Sequence, residues 1–269
     1  MKKIVLLIII IISLIISGGI IMIKKSNKEK FIINKNVSFY KEELLDRYIK
    51  YKGKNNNLSE VDIITNVGMN LDIEPYTNTK LSKFLNTNYV LVNKYNYLDK
   101  NYVPKNLEEI DNKYALSSKK LVHDAKIAFE NMAENASKDG LNIRAISTYR
   151  TYSYQKELYD NYVREEGIKK ADTYSARPGY SEHQTGLVVD VDNKKDYYEN
   201  FEKTKEFIWM NSNAHKYGFI LRYPKNKENI TKYMYEAWHY RYVGVKIASF
   251  IKKNNITFEE YYVKYIDVN

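Results

Sequence analysis

The 269-residue sequence has no cysteine. This excludes disulfides, thiolate metal ligands, a cysteine nucleophile and a lipidated N-terminal cysteine, while remaining compatible with any redox compartment. Low-complexity tracts are also missing, so nothing argues for wholesale disorder, and 44% hydrophobic residues suffice for a sizeable core. The net charge of +10 has no Lys/Arg stripe, RNP-like run or zinc-finger spacing to go with it. Nucleic acid is therefore not expected as a partner, and an anionic membrane surface or anionic wall polymer suits the charge better. Tyrosine, by contrast, is abundant at 27 residues, which AT-rich codon usage explains more simply than an aromatic binding surface.

The longest apolar run is Ile4 to Ile23, without a charge and long enough as a helix to span about 30 Å of hydrocarbon. A signal-peptide core is usually about 7–15 residues and ends in a small-residue cleavage site. Ser17-Gly18-Gly19 matches such a site poorly, so residues 1–25 read as an uncleaved N-terminal transmembrane anchor in preference to a cleaved signal. Lysines at both ends of the run leave its orientation undecided. Residues 26–112 read as a stalk and N-terminal extension packing on a main domain at 113–269.

Helical spacing of Leu44, Leu45, Tyr48 and Ile49 predicts a helix over 39–52, and Ser59 caps a second one ending at Gly68. Tyr89 to Val92 reads as a short strand. Ser117 or Ser118 caps an amphipathic helix that Gly140 stops. Leu141 to Ser147 alternates as a strand, followed by a helix over 152–166 closed by Gly167. Further strands are expected at 186–192, 219–223 and 233–236, with helices at 201–217 and 243–254 and a last short one from Thr257. Strands of hairpin type without regular βαβ alternation indicate an α+β fold.

Four histidines are present. His123 lies in the amphipathic helix and His215 near the end of another, and both read as surface or packing residues. His183 and Asp190 flank a strand entry, and Asp190 sits among Leu187, Val188, Val189 and Val191. A carboxylate in such an apolar setting needs a counter-charge or a metal. Glu236 and His239 lie among Tyr235 and Trp238, surroundings that raise a carboxylate's basicity. Two histidines and an aspartate suit a single Zn2+ ion, and three protein ligands leave a position for water. Glu236, three residues before His239, is placed to take a proton from that water. Asp192 shares the face of Asp190 and is either its partner or a solvated strand end. Arg144 points to solvent or to a carboxylate.

Four ordered segments resemble the VanY-type carboxypeptidases, which are grouped with VanX-type dipeptidases and the LAS zinc peptidases of bacterial cell walls. They are Ser147-Thr148-Tyr149-Arg150, the stretch from Pro178 to Asp190, the stretch from Tyr217 to Pro224, and the stretch from Glu236 to Gly244. The likeness extends from about residue 85 to the C-terminus. It implies a hedgehog/DD-peptidase-like fold, a small mainly antiparallel sheet flanked by helices. It also implies His183, Asp190 and His239 as zinc ligands and Glu236 as general base. Arg150 would face the reacting carbonyl or substrate carboxylate, with Ser147, Gln155 and Ser181 lining the substrate cleft. Thr148 stands where the family usually has Gly, Val189 where Ala is common, and Ala237 where Pro often occurs. None of these departures removes a ligand or the base.

The resemblance implies removal of the terminal D-Ala from D-Ala-D-Ala-ended peptidoglycan stem peptides. The alternatives are an L,D-carboxypeptidase trimming tetrapeptide stems and a non-catalytic zinc-containing wall-binding module. Intact Glu236 and Arg150 argue against the latter. The expected molecule is a monomer held at the cell membrane by one N-terminal span, with its catalytic domain outside the cytoplasm.

Overall fold

The structure, a computed structural model, describes residues 37–195 and 198–268. The expected anchor at residues 1–25 lies outside the described residues. Among the described residues no helix is long and apolar enough to cross a membrane. The described residues divide into two compact units, one running up to Asp72 and taking in the C-terminal segment from Val263, the other lying between Ile73 and Tyr262. The expected boundary at 113 therefore falls inside the second unit.

The first unit contains helices α1 (Leu45–Lys54) and α2 (Glu60–Gly68). Ser59 starts α2 as the sequence indicates, its side chain accepting from the Asp62 amide. Tyr48 from α1 and Ile63, Ile64 and Val67 from α2 form its buried core.

The second unit opens with two short parallel strands, β1 (Lys80–Leu81) and β2 (Asn96–Tyr97). The strand expected at Tyr89 to Val92 is not formed. Val90, Leu91 and Val92 are buried in a loop, and the Val90 carbonyl accepts from Arg241 Nη2 at 2.8 Å instead of from a ladder. Next, β3 (Leu107–Glu109) pairs antiparallel with β4 (Lys120–Val122). That pairing corrects the expected cap at Ser117 or Ser118: the chain is extended through Val122, and helix α3 (His123–Lys138) starts only there. Its apolar face, including Ala125, Phe129, Met132 and Ala136, is buried as the periodicity predicts.

The remaining elements are β5 (Arg144–Ser147), α4 (Tyr152–Glu166), α5 (Ile168–Tyr174), β6 (Val188–Asp192), α6 (Lys205–Asn213) and β7 (Phe219–Leu221). They are followed by α7 (Glu228–Thr231), β8 (His239–Tyr242), α8 (Val245–Asn254) and α9 (Phe258–Tyr261). Helix α6 begins at a Thr204 cap, later than the expected 201, and ends at Asn213. The strand expected at 233–236 is irregular chain. There the Met234 amide donates to the Thr173 carbonyl and the Glu236 amide to the Tyr223 carbonyl, and the strand proper begins at His239.

The four-stranded sheet has the order β5-β6-β8-β7, every pair antiparallel. This is the α+β architecture that the pattern of elements indicates. One layer of core joins Phe129 and Met132 of α3 to Val189, Val191, Phe219 and Tyr240 of the sheet. Every residue of β6 is buried, so Val188, Asp190 and Asp192 on its other face are also withdrawn from water. Register then fixes the site: Asp190 stands opposite Ser147 on one side and His239 on the other. An irregularity in β5 between Ala145 and Ser147 brings Ser147 into that row.

Gly186 makes the turn that delivers the chain into β6, at φ +68°, and an added Cβ would lie 2.8 Å from Leu107 Cδ2 and 3.1 Å from Val122 Cγ1. Gly140, at φ +76°, has open space around it. Gly140→Ala should cost about 1–2 kcal/mol, the left-handed penalty alone, and Gly186→Ala clearly more because overpacking adds to it. Denaturant unfolding of both variants checks the order.

Candidate metal centre

His183 lies in a 3-10 turn, Glu182–Thr185, capped by Ser181, whose hydroxyl accepts from the His183 amide. Its Nδ1 lies 2.6 Å from the Thr148 carbonyl oxygen. A carbonyl can only accept, so Nδ1 carries the proton and Nε2 is left as a lone-pair donor. Nε2 lies 3.2 Å from Asp190 Oδ2. From the neighbouring strand, His239 Nδ1 lies 3.0 Å from Asp190 Oδ1. The two imidazoles are perpendicular, with ring centres 5.2 Å apart.

One donor atom from each of His183, Asp190 and His239 falls within a 4.8 Å span, and all three residues are buried. A tetrahedral ion with bonds of about 2.0–2.1 Å separates its donors by about 3.3 Å, close to the two His–Asp distances. Asp190 Oδ1 is buried and makes no well-aligned hydrogen bond, although His239 Nδ1 lies 3.0 Å away, and a cation between the two would remove that cost. Two imidazoles and a carboxylate are also a donor set that zinc accepts. The residues present therefore fit the ion.

The second carboxylate is placed differently. Glu236 Oε2 lies 3.4 Å from His239 Nδ1, on the donor side of that ring, and the residue is buried. Burial pushes its carboxyl up to about 8, with the Asp190 charge adding to the effect and His239 and Arg150 opposing it. Asp190 behaves in the opposite way. Burial alone would raise it, but His183 and His239 hold it well below the usual carboxylate range. Burial likewise lowers His183. In His239 burial is outweighed by Asp190, Glu182 and Glu236, which hold the ring up at about 9.

Arg150 donates from Nη2 to Asp190 Oδ2 at 2.9 Å and from Nε and Nη2 to Ser147 Oγ, while Nη1 lies 3.4 Å from Gln155 Oε1. Ser147, Arg150, Gln155 and Asp190 thus form one cluster. Gln155 is anchored by its amide to the Ala176 carbonyl. All of these, with Ser181, Glu236 and His239, line one open cleft of about 880 Å³. The structure therefore brings every candidate residue together. Arg144 pairs bidentately with Asp192 at 2.9 and 2.7 Å, which settles both: Asp192 is the arginine's partner and not that of Asp190. His123 is an exposed partner of Glu108. Sequence reasoning missed Glu182, buried between Arg222 and Arg241, and Tyr223, whose ring lies 4.8 Å from that of His239. The available signal was a pair of arginines set within otherwise apolar, aromatic strand segments.

Residues 118–245 match the family model described as VanY, D-alanyl-D-alanine carboxypeptidase. The solved LdcB LD-carboxypeptidase is 44% identical, with a TM-score of 0.61, over 65% of this chain and 85% of that one. The chain belongs to the VanY family. A second family structure, a vancomycin resistance D,D-pentapeptidase VanY variant in complex with Zn(II), is 32% identical with a TM-score of 0.56, covering 65% of this chain and 98% of that one. Among curated relatives, YodJ of Bacillus subtilis (strain 168) is 44% identical over 181 residues, 65% of this chain and 66% of YodJ. The chain thus spans just under two thirds of YodJ's length.

Because His239 sits up at about 9 and Glu236 at about 8 without an ion, both hold protons near neutral pH. A metal ligand must be unprotonated at the atom that binds, so an ion at His239 has to expel the proton from its Nδ1. Zinc titration into the metal-free chain at about pH 7, followed by calorimetry in buffers of different ionisation enthalpy, should show release of at least one proton per ion. The release should fade as pH passes about 9. A binding heat independent of the buffer would contradict these charge assignments.

Proposed function

We propose that the chain is a zinc-dependent carboxypeptidase that removes the terminal D-alanine from D-Ala-D-Ala-ended peptidoglycan stem peptides. The observation carrying this reading is the meeting of three buried donor atoms with a separate buried carboxylate of raised proton affinity in the lining of an open cleft. A purely structural ion site needs no such carboxylate, and its closed shell would leave no position for water.

Zinc held by His183, Asp190 and His239 would supply a Lewis acid that acidifies water and polarises a carbonyl. The chain's own residues perform the rest. Glu236 takes a proton from the attacking water, whose oxygen bonds to the terminal peptide carbon. As the C–N bond breaks, Glu236 passes that proton to the leaving nitrogen. A carboxyl whose affinity for protons lies near the working pH serves both transfers well. Arg150, fixed by Ser147 and Asp190, brings a positive charge to the cleft wall, where it orients an anionic or developing oxyanion group of the substrate. Ser181 holds the turn that carries His183, and Gln155 supports Arg150.

One specific observation favours a second reading: the LD-carboxypeptidase LdcB is 44% identical, the D,D-pentapeptidase structure 32%. The metal and the base serve both specificities, and only the stereochemistry accepted beside the scissile bond differs. The apolar run Ile4 to Ile23 is long enough to hold the chain at the cell membrane by one N-terminal span, and a peptidoglycan substrate requires the catalytic unit to lie outside the cytoplasm.

The full chain incubated with pentapeptide and tetrapeptide muropeptides, with and without chelator, tests the reading through mass and chiral analysis of the released amino acid. Chelator-sensitive D-alanine release from the pentapeptide is the expected result. Release from the tetrapeptide alone would establish the L,D reading, and chelator-insensitive release would remove the metal mechanism. Glu236→Ala should lower turnover by at least about 10²–10⁴-fold while zinc content, read by metal analysis, is retained. Loss of zinc in that variant would count against its role as base.

A further inference from the structure

The proposed mechanism leaves one buried ionisable cluster unused. Glu182, next to the ligand His183, is among the most buried carboxylates of the chain, at 2% exposure. Its Oε1 accepts from Arg222 Nε and from Arg241 Nη1, both at 2.9 Å. Arg222 is held in turn by Glu259 through bonds of 2.9 and 2.5 Å, and Arg241 by the carbonyls of Val90 and Tyr242. Both guanidinium groups are essentially inaccessible to water. Burying four charges in this way is at best weakly stabilising compared with an apolar core, so stability alone is a poor explanation for the cluster.

The free oxygen of Glu182 has a direction. Oε2 has no hydrogen-bond partner, and it lies 3.9 Å from His239 Nε2, which has none either. Nδ1 of the same ring faces Asp190 and Glu236. The ring is therefore suspended between its metal-side nitrogen and one carboxylate behind it. A shift of roughly 1 Å would bring Nε2 and Oε2 within hydrogen-bond range. A metal-bound histidine almost always donates its other N–H to a carboxylate, carbonyl or water, which fixes tautomer and ring angle. His183 already has such an acceptor in Thr148. For His239 the carboxylate that its Nε2 approaches is Glu182.

We propose that Glu182 is the positioning residue of His239: clamped by Arg222 and Arg241, its carboxylate holds the proton on Nε2 and so turns the Nδ1 lone pair toward the ion. The clamp keeps one oxygen occupied and leaves the other for histidine. This rests on the zinc reading above, and the test separates the two. Zinc affinity of the full chain is measured by competition with a chelating dye for wild type, Glu182→Gln and Glu259→Gln, alongside denaturant unfolding of each metal-free protein. Glu259→Gln disturbs the same buried network but leaves Glu182 facing His239.

Glu182→Gln should weaken zinc binding by about 10–100-fold, whereas Glu259→Gln should lower stability and leave zinc affinity within about threefold. Equal losses of affinity in the two variants, or none in Glu182→Gln, would overturn the positioning role. Failure of the wild type to bind zinc would instead overturn the underlying reading. Should Glu182→Gln not fold, nitrogen-15 spectra of histidine-labelled wild type decide the matter. A proton on Nε2 of zinc-loaded His239 is the expected signature, and coordination through Nε2 would contradict it.

Discussion

A carboxylate in the middle of a fully buried strand sets the terms for everything around it. Asp190 cannot be withdrawn from water as an anion without compensation, since the penalty for an unpaired buried charge runs to several kcal/mol. The fold answers from three directions at once. Register places His239 opposite Asp190 on β8, the turn before β6 brings His183 to its other oxygen, and Arg150 reaches it from the end of β5. These are the groups that a zinc peptidase needs, so the demand for charge compensation and the assembly of the site are the same constraint.

The three buried carboxylates nearest the site, Glu182, Asp190 and Glu236, differ in how many cations each receives. Glu182 has two guanidinium groups, and although burial opposes ionisation, Arg222 and Arg241 hold it well below the ordinary range. Asp190 has a guanidinium and two imidazoles, with the same outcome. Among the described residues the one ion-pair partner of Glu236 is His239, at 3.4 Å, and there burial wins. Environments that push like groups apart in proton affinity divide fixed charges from proton carriers. In the proposed mechanism this division separates a structural anion, a ligand and a base among residues of one chemical type.

Much of this was legible in the chain. Asp190 within Leu187-Val188-Val189 announced a buried carboxylate, and the helical spacing of Ala125, Phe129 and Met132 announced the helix covering the sheet. What could not be read was set by tertiary pairing. Leu121 and Val122 fit a helical face by spacing, yet they pair with Leu107 and Glu108 as a strand, and α3 begins after them. Val90 to Val92 have strand composition, but their neighbours are side chains, including a guanidinium that takes the Val90 carbonyl. Glu182 looked like a loop residue because nothing local indicates that arginines 40 and 59 residues away converge on it. Local patterns reported which side chains avoid water, and only the assembled sheet determines which of them meet.

The claim at the centre is that His183, Asp190 and His239 hold one ion together. Metal analysis of the purified full chain and of Asp190→Ala, each dialysed against zinc-free buffer, measures this most directly. One zinc per chain in the wild type and essentially none in the folded variant is the expected result. An ion retained without Asp190, or a wild type that holds none after zinc loading, would contradict it.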